Sequence, residues 1–277
     1  MIPPIASNFI AGENEDAALE YVDQLNERGV GGILNLLGEH YDDYGEATAD
    51  TDAYVELVEE ISDRDIDACI SVKPSQLGVD VSGRLFEQNF ERIVEAADCF
   101  VWLDMEDHTT TDVTLDTFER HARETGGNVG VCIQSNLHRT GDDLARLADL
   151  PGKVRLVKGA YSEPQKLSYT DRETVDAVYR DQLGYMFREF DDGVAVGSHD
   201  PAMIEHARDL HDEYGTPYEI QMLMGVREQA QFSLAAESGA EVYQYIPYGT
   251  KWLSYFYRRL RERKGNISFA ARAIVGS

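Results

Sequence analysis

Residues 68–103 open on Ala68-Cys69-Ile70-Ser71-Val72, close on Cys99-Phe100-Val101-Trp102-Leu103, and carry the segment Val81 to Ala97 between them. The two short runs are apolar and rich in β-branched or aromatic residues, as buried strands are. In the middle segment Leu85, Phe86, Phe90, Ile93 and Val94 recur at helical spacing. Two strands joined by a helix of this length pair in parallel through a right-handed crossover, so the stretch reads as one βαβ unit. The same alternation extends outward. Gly32-Ile33-Leu34-Asn35-Leu36-Leu37 comes before it, followed by a helical stripe of Tyr54, Leu57, Val58 and Ile61 between Asp52 and Ser62. After it come Val129-Gly130-Val131-Cys132-Ile133, Val154-Arg155-Leu156-Val157, Val194-Ala195-Val196, Tyr218-Glu219-Ile220-Gln221-Met222 and Glu241-Val242-Tyr243-Gln244-Tyr245.

Eight βα units of this size predict an α/β (βα)8 TIM-type barrel spanning residues 1–277 as one domain, with 1–12 as an arm or tail and 13–30 as a leading helix. An open doubly wound sheet is the competing reading. It calls for a G-x-G-x-x-G turn after an early strand, but the cluster Gly29-Val30-Gly31-Gly32 precedes its strand instead.

In such barrels chemistry sits at the C-terminal strand ends. Strand two ends at Lys73, strand three at Asp104-Met105-Glu106 and strand four at Gln134-Ser135-Asn136. Strand five carries Arg155 and ends at Lys158-Gly159-Ala160-Tyr161, strand six at Ser198-His199-Asp200, and strands seven and eight carry Gln221 and Tyr245. One charged residue at a strand end commonly marks only the arrival at water. Two strand-end lysines in a chain of six are a stronger signal. Gly159-Ala160 lets backbone approach a phosphate closely. No metal site is expected, because His108 and His199 lack further ligands at suitable spacing. With no Gly-x-Ser-x-Gly elbow and no dedicated nucleophile, an organic cofactor becomes attractive.

The balance of 25 basic and 51 acidic residues gives a net charge of −26, which opposes binding to nucleic acid or an anionic bilayer. No apolar run is long enough to cross a membrane, and the start has no signal-peptide pattern, so the expected location is cytoplasmic, with at most peripheral contact with the inner face of the membrane. Cys69, Cys99 and Cys132 lie in or beside apolar runs and read as reduced core thiols. The scattered excess of carboxylates suggests a surface adapted to high salt, that is, a halophilic protein.

On a final helix turning about 100° per residue, Trp252, Arg258, Arg259 and Glu262 fall within about 60° of Tyr255, while Leu253, Phe256, Tyr257 and Leu260 form an apolar, docking face. A solvated amphipathic helix explains this as well as a ligand site does. Two arginines pointing with two aromatics suit a small carboxylate with an apolar body.

With these residues assembled, the sequence resembles the proline dehydrogenase family, and most closely its short monofunctional form. The resemblance is carried by Asn8-Phe9-Ile10-Ala11-Gly12-Glu13, Asn35-Leu36-Leu37-Gly38-Glu39, Ser71-Val72-Lys73, Leu103-Asp104-Met105-Glu106, Arg155 to Tyr161, Ser198-His199-Asp200, Gln221-Met222-Leu223-Met224-Gly225 and Tyr245 through Tyr255 to Arg259. It implies a distorted barrel whose last helix lies over the C-terminal mouth. It also implies FAD-dependent oxidation of L-proline to Δ1-pyrroline-5-carboxylate, with a quinone as electron acceptor. By the same resemblance Lys73, Arg258 and Arg259 hold the proline carboxylate, and Tyr245, Tyr255 and Leu223 shape the pocket. Arg155 lies near the flavin N5, and Asp104 supports the cations. Met105, Gln134, Lys158, Gly159, Ala160, Tyr161, Ser198, His199 and Gln221 contact FAD, and Glu262 fixes the arginines.

Ser162 and Met222 depart from longer bifunctional relatives, which carry an aromatic and a basic residue there. The product is expected to pass to a separate pyrroline-5-carboxylate dehydrogenase. Two other readings stay open: a flavin-free lyase or aldolase with Lys158 or Lys73 as a Schiff-base nucleophile, and a noncatalytic barrel that binds an anionic metabolite.

Overall fold

The computed structural model describes residues 7–237 and 239–253. Eight parallel strands close on themselves in chain order, β1 pairing with both β2 and β8. The strands are β1 (Gly31–Leu36), β2 (Ala68–Val72), β3 (Val101–Leu103), β4 (Val129–Gln134), β5 (Lys153–Val157), β6 (Val194–Gly197), β7 (Tyr218–Leu223) and β8 (Glu241–Tyr248). Alternating with them are α1 (Glu15–Asn26), α2 (Tyr44–Ser62), α3 (Gly83–Ala96), α4 (Thr111–Thr125), α5 (Thr140–Leu147), α6 (Arg172–Glu189), α7 (Pro201–Tyr214) and α8 (Glu228–Glu237). This is the expected (βα)8 barrel, and the open-sheet reading falls because β1 pairs with β8 from Gly31↔Tyr243 to Leu36↔Tyr248.

Strand residues alternate between two cores, as period-two side chains must. Ile33, Cys69, Trp102 and Ala195 fill the barrel interior with Phe100, Tyr243 and Tyr245. Their neighbours Leu34, Ile70, Val101 and Val196 join the larger shell formed with helix residues such as Leu19, Leu57, Phe86, Phe118 and Leu183. Several helices start on side-chain caps: Asn14, Asp43, Ser82, Asp171 and Asp200 each accept from a backbone N–H of the first turn.

The boundaries differ from the sequence expectations at points with physical causes. Helix α2 begins at Tyr44 rather than Asp52, because the Asp43 carboxylate caps the N–H groups of Gly45 and Glu46. Strand β3 is shorter than expected and pairs only from Val101. Strand β8 runs on through Pro247 to Tyr248, and Pro247 is tolerated beside Asn35 of β1. Residues 9–12 pack rather than trail: Ala11 N–H donates to Pro247 O at 2.9 Å, and Gly249 N–H donates to Gly12 O at 2.9 Å.

Candidate active site

Above the interior plug, five of the strands carry polar side chains toward the C-terminal mouth. Ser71 and Lys73 rise from β2, Asp104 follows β3 directly, Arg155 is on β5, Gln221 on β7 and Tyr245 on β8. These side chains meet. Lys73 Nζ donates to Asp104 Oδ2 at 3.2 Å, to the Tyr245 hydroxyl at 3.1 Å and to Asn35 Oδ1 at 3.0 Å. The Tyr245 hydroxyl donates to Asp104 Oδ2 at 2.7 Å, and Ser71 Oγ donates to Asp104 Oδ1 at 2.7 Å. Arg155 Nη2 pairs with Asp104 Oδ1, and Arg155 Nη1 donates to Gln221 Oε1 at 2.7 Å. The guanidinium lies 4.9 Å from the Trp102 ring centroid and 5.6 Å from that of Tyr245.

Both Asp104 and Arg155 are buried. Burial pushes the Asp104 carboxyl up, but the charges of Lys73 and Arg155 outweigh it and hold it below the ordinary carboxylate value. The cluster therefore carries two cations on one anion, a local positive field inside a molecule of net charge −26. Such a field favours a small anionic group at the mouth.

A second group flanks the first. Lys158 is held by Asp176 and, at 2.9 Å, by Asp200. Burial pushes the Asp200 carboxyl up, and the Lys158 ammonium leads the groups that bring it below its ordinary value. Asp200 N–H donates to Ser198 Oγ at 3.2 Å. Gln134 Nε2 donates to Glu106 O at 2.7 Å and its Oε1 accepts from Ala160 N–H at 3.3 Å. Gly159 adopts a left-handed φ of 108°, and a Cβ there would strike the Asn136 carboxamide. Met105 is buried, and Tyr161 is half-buried. His199 Nε2 accepts from Leu223 N–H at 2.8 Å, which fixes its proton on Nδ1 and ties β6 to the end of β7. His108 and Glu163 clamp two mouth loops together, with His108 Nδ1 2.6 Å from Glu163 Oε2.

Lys73, Asp104, Arg155, Gln221 and Tyr245 thus form one connected cluster, with Leu223 and His199 linked to each other beside it. Tyr255, Arg258, Arg259 and Glu262 lie outside the described residues. At the start of that segment, Trp252 packs on Phe9, Ile10 and Leu37, whereas Leu253, expected on the docking face, is exposed. The N-terminal arm supplies the apolar surface that takes Trp252.

Sequence reasoning assigned no role to Asn35, Ser71, Trp102 or Asn136. Asn35 orients Lys73 while its own Nδ2 donates to Ser71 O at 2.8 Å. Each of Asn35 and Ser71 is a polar residue in an apolar strand run, which is the signal that marks it.

Comparison with known proteins places the chain among characterised relatives. The sequence profile of the family described as proline dehydrogenase matches residues 18–272. The chain is 37% identical to proline dehydrogenase of Deinococcus radiodurans over 281 residues, covering 98% of this chain and 90% of that protein. It is 32% identical to proline dehydrogenase 2 of Bacillus subtilis, with the same coverage. Among solved structures, proline utilization A of Bdellovibrio bacteriovorus superposes with a TM-score of 0.80 at 24% identity. That of Corynebacterium freiburgense gives 0.80 at 24%. The matches cover 92% and 98% of this chain but 32% of each of those longer chains, and show a common fold.

Proposed function

Because the chain belongs to the proline dehydrogenase family, we propose that it oxidises L-proline to Δ1-pyrroline-5-carboxylate with FAD as hydride acceptor and a quinone as the final electron acceptor. The observation that carries this reading is the meeting of Lys73, Arg155, Asp104 and Tyr245 at one barrel mouth.

The residues present suit a bound dinucleotide. Asn136 Oδ1 and Ser135 Oγ are buried with no hydrogen-bond partner among the described residues, and the missing Cβ of Gly159 lets the Asn136 carboxamide close against the backbone that follows β5. We assign Met105, Gln134, Lys158, Gly159, Ala160, Tyr161, Ser198, His199 and Gln221 to holding FAD, which supplies the hydride acceptor when bound. Arg155, fixed and always charged, would offset the negative charge that such a cofactor gains with the hydride. Lys73 neutralises the substrate carboxylate together with Arg258 and Arg259, and Tyr245, Tyr255 and Leu223 pack the pyrrolidine ring. Asp104 keeps both cations oriented. The substrate nitrogen loses its proton before or during hydride loss from C5, because a free lone pair must form the C=N bond. The ion pairs of Lys73 and Lys158 oppose a neutral Schiff-base nucleophile at either position.

We place the reaction in the cytoplasm, with peripheral contact at most with the membrane that holds the quinone, and its product passes to a separate dehydrogenase. Among the described residues no helix is long and apolar enough to cross a membrane. The surface charge supports adaptation to high salt.

Incubation with FAD is expected to give the purified protein flavin absorbance bands that anaerobic L-proline bleaches. A protein that stays colourless overturns the reading. Arg155→Ala should slow bleaching by roughly 100-fold, on the scale of a lost preorganised donor, while weakening proline binding far less. Stopped-flow traces showing the reverse place Arg155 on the substrate instead.

A further inference from the structure

Below Arg155, hydrogen bonds continue down the barrel axis away from the mouth. Gln221 Oε1 accepts from Arg155 Nη1 at 2.7 Å, and Gln221 Nε2 donates to Glu219 Oε1 at 2.5 Å. Glu219 Oε2 in turn accepts from Lys153 Nζ, whose ammonium lies 5.2 Å from the Phe100 ring centroid. Arg155, Gln221 and Glu219 are each buried to within 4% of full enclosure.

The two ends of a glutamine amide have the same shape but opposite hydrogen-bonding character. A guanidinium only donates and an ionised carboxylate only accepts. With Arg155 above and Glu219 below, a single amide orientation satisfies both ends. Lys153 pairs with Glu219 from the barrel floor. Nη1 on Gln221 and Nη2 on Asp104 together hold the guanidinium against Trp102.

We propose that Glu219 is a positioning residue for Arg155, acting through the amide orientation of Gln221 from the floor of the barrel. The proposal rests on the reading above only for what Arg155 does in turnover.

Glu219→Gln tests it, made in a Trp252→Phe background so that Trp102 is the remaining tryptophan of two. In this variant Lys153 attracts the carbonyl oxygen of the introduced amide, whose NH2 then faces Gln221. The Gln221 amide flips in response, and a donor faces Arg155. Adding Lys153→Met releases the introduced amide to turn its oxygen back to Gln221. The expected result is a shifted Trp102 emission and near-ultraviolet dichroism in flavin-free Glu219→Gln protein, with the parent signal restored in Lys153→Met/Glu219→Gln. Proline-dependent flavin reduction should follow the same pattern, falling roughly tenfold and recovering. Gln221→Met carries the same expected shift should Glu219→Gln fail to fold. An unchanged Trp102 signal in the single variants overturns the proposal. So does a double variant no better than Glu219→Gln, which is what a purely structural pair gives. Trp102 signals that follow the pattern in a protein inert toward proline would instead refute the proline reading alone.

Discussion

Asp104 accepts from Lys73, Arg155, Ser71 and Tyr245, so its charge organises the whole cluster. Its carboxyl is held below the ordinary value, so its contribution to stability is present above the unfolded value near 3.9 and is lost as pH falls through the folded value. Lys73→Met removes one of the two cations and leaves Asp104 less depressed. At pH 7 the variant should be less stable by about 2 kcal/mol, the scale of a hydrogen bond to a charged group. Thermal melts of parent and variant should converge below pH 4, and parallel curves would contradict the assignment. Lys73 and Asp104 were legible as charged groups that end apolar runs, and Arg155 and Tyr245 as a charged and a phenolic group within such runs. Asn35, Ser71 and Trp102 were not singled out, because facing the mouth from inside a strand depends on register, which a single run does not reveal.

Among the elements, the turn after β5 is tightly constrained. Gly159 combines φ of 108° with a Cβ direction blocked by Asn136. Gly159→Ala should therefore cost about 1 to 2 kcal/mol from the left-handed backbone alone, more if Asn136 must move. It should also weaken FAD binding, which fluorescence titration reads. A Tm and an affinity equal to the parent's would refute the cradle. The strand positions were readable from composition, since each run had one period. The start of α2 was not, because Ala47 and Thr51 are small and its first turn depends on the Asp43 cap rather than on an apolar stripe. The end of β8 escaped because proline normally argues against a strand, whereas here Pro247 meets only a parallel neighbour and offers its carbonyl to Ala11.

At the scale of the whole molecule, 51 acidic residues against 25 basic ones leave a surface that repels itself. Screening shortens that repulsion to about 3 Å at molar salt, so the Tm should rise between dilute buffer and molar KCl. A Tm that stays level or falls argues against salt adaptation. The order of strands around the barrel was legible from the regular βα spacing, because right-handed crossovers leave few other arrangements. Closure was legible from the count of eight units, but the register of β1 against β8 that achieves it was not, because it joins runs at the two ends of the chain. That seam sets a timetable for synthesis. Until the ribosome has released the eighth strand, the sheet has two bare edges, a template for aggregation. The strand that seals them also delivers Tyr245 to Lys73 and Asp104, so a nascent or proteolytically clipped chain lacking it loses its shelter and its chemistry at one stroke.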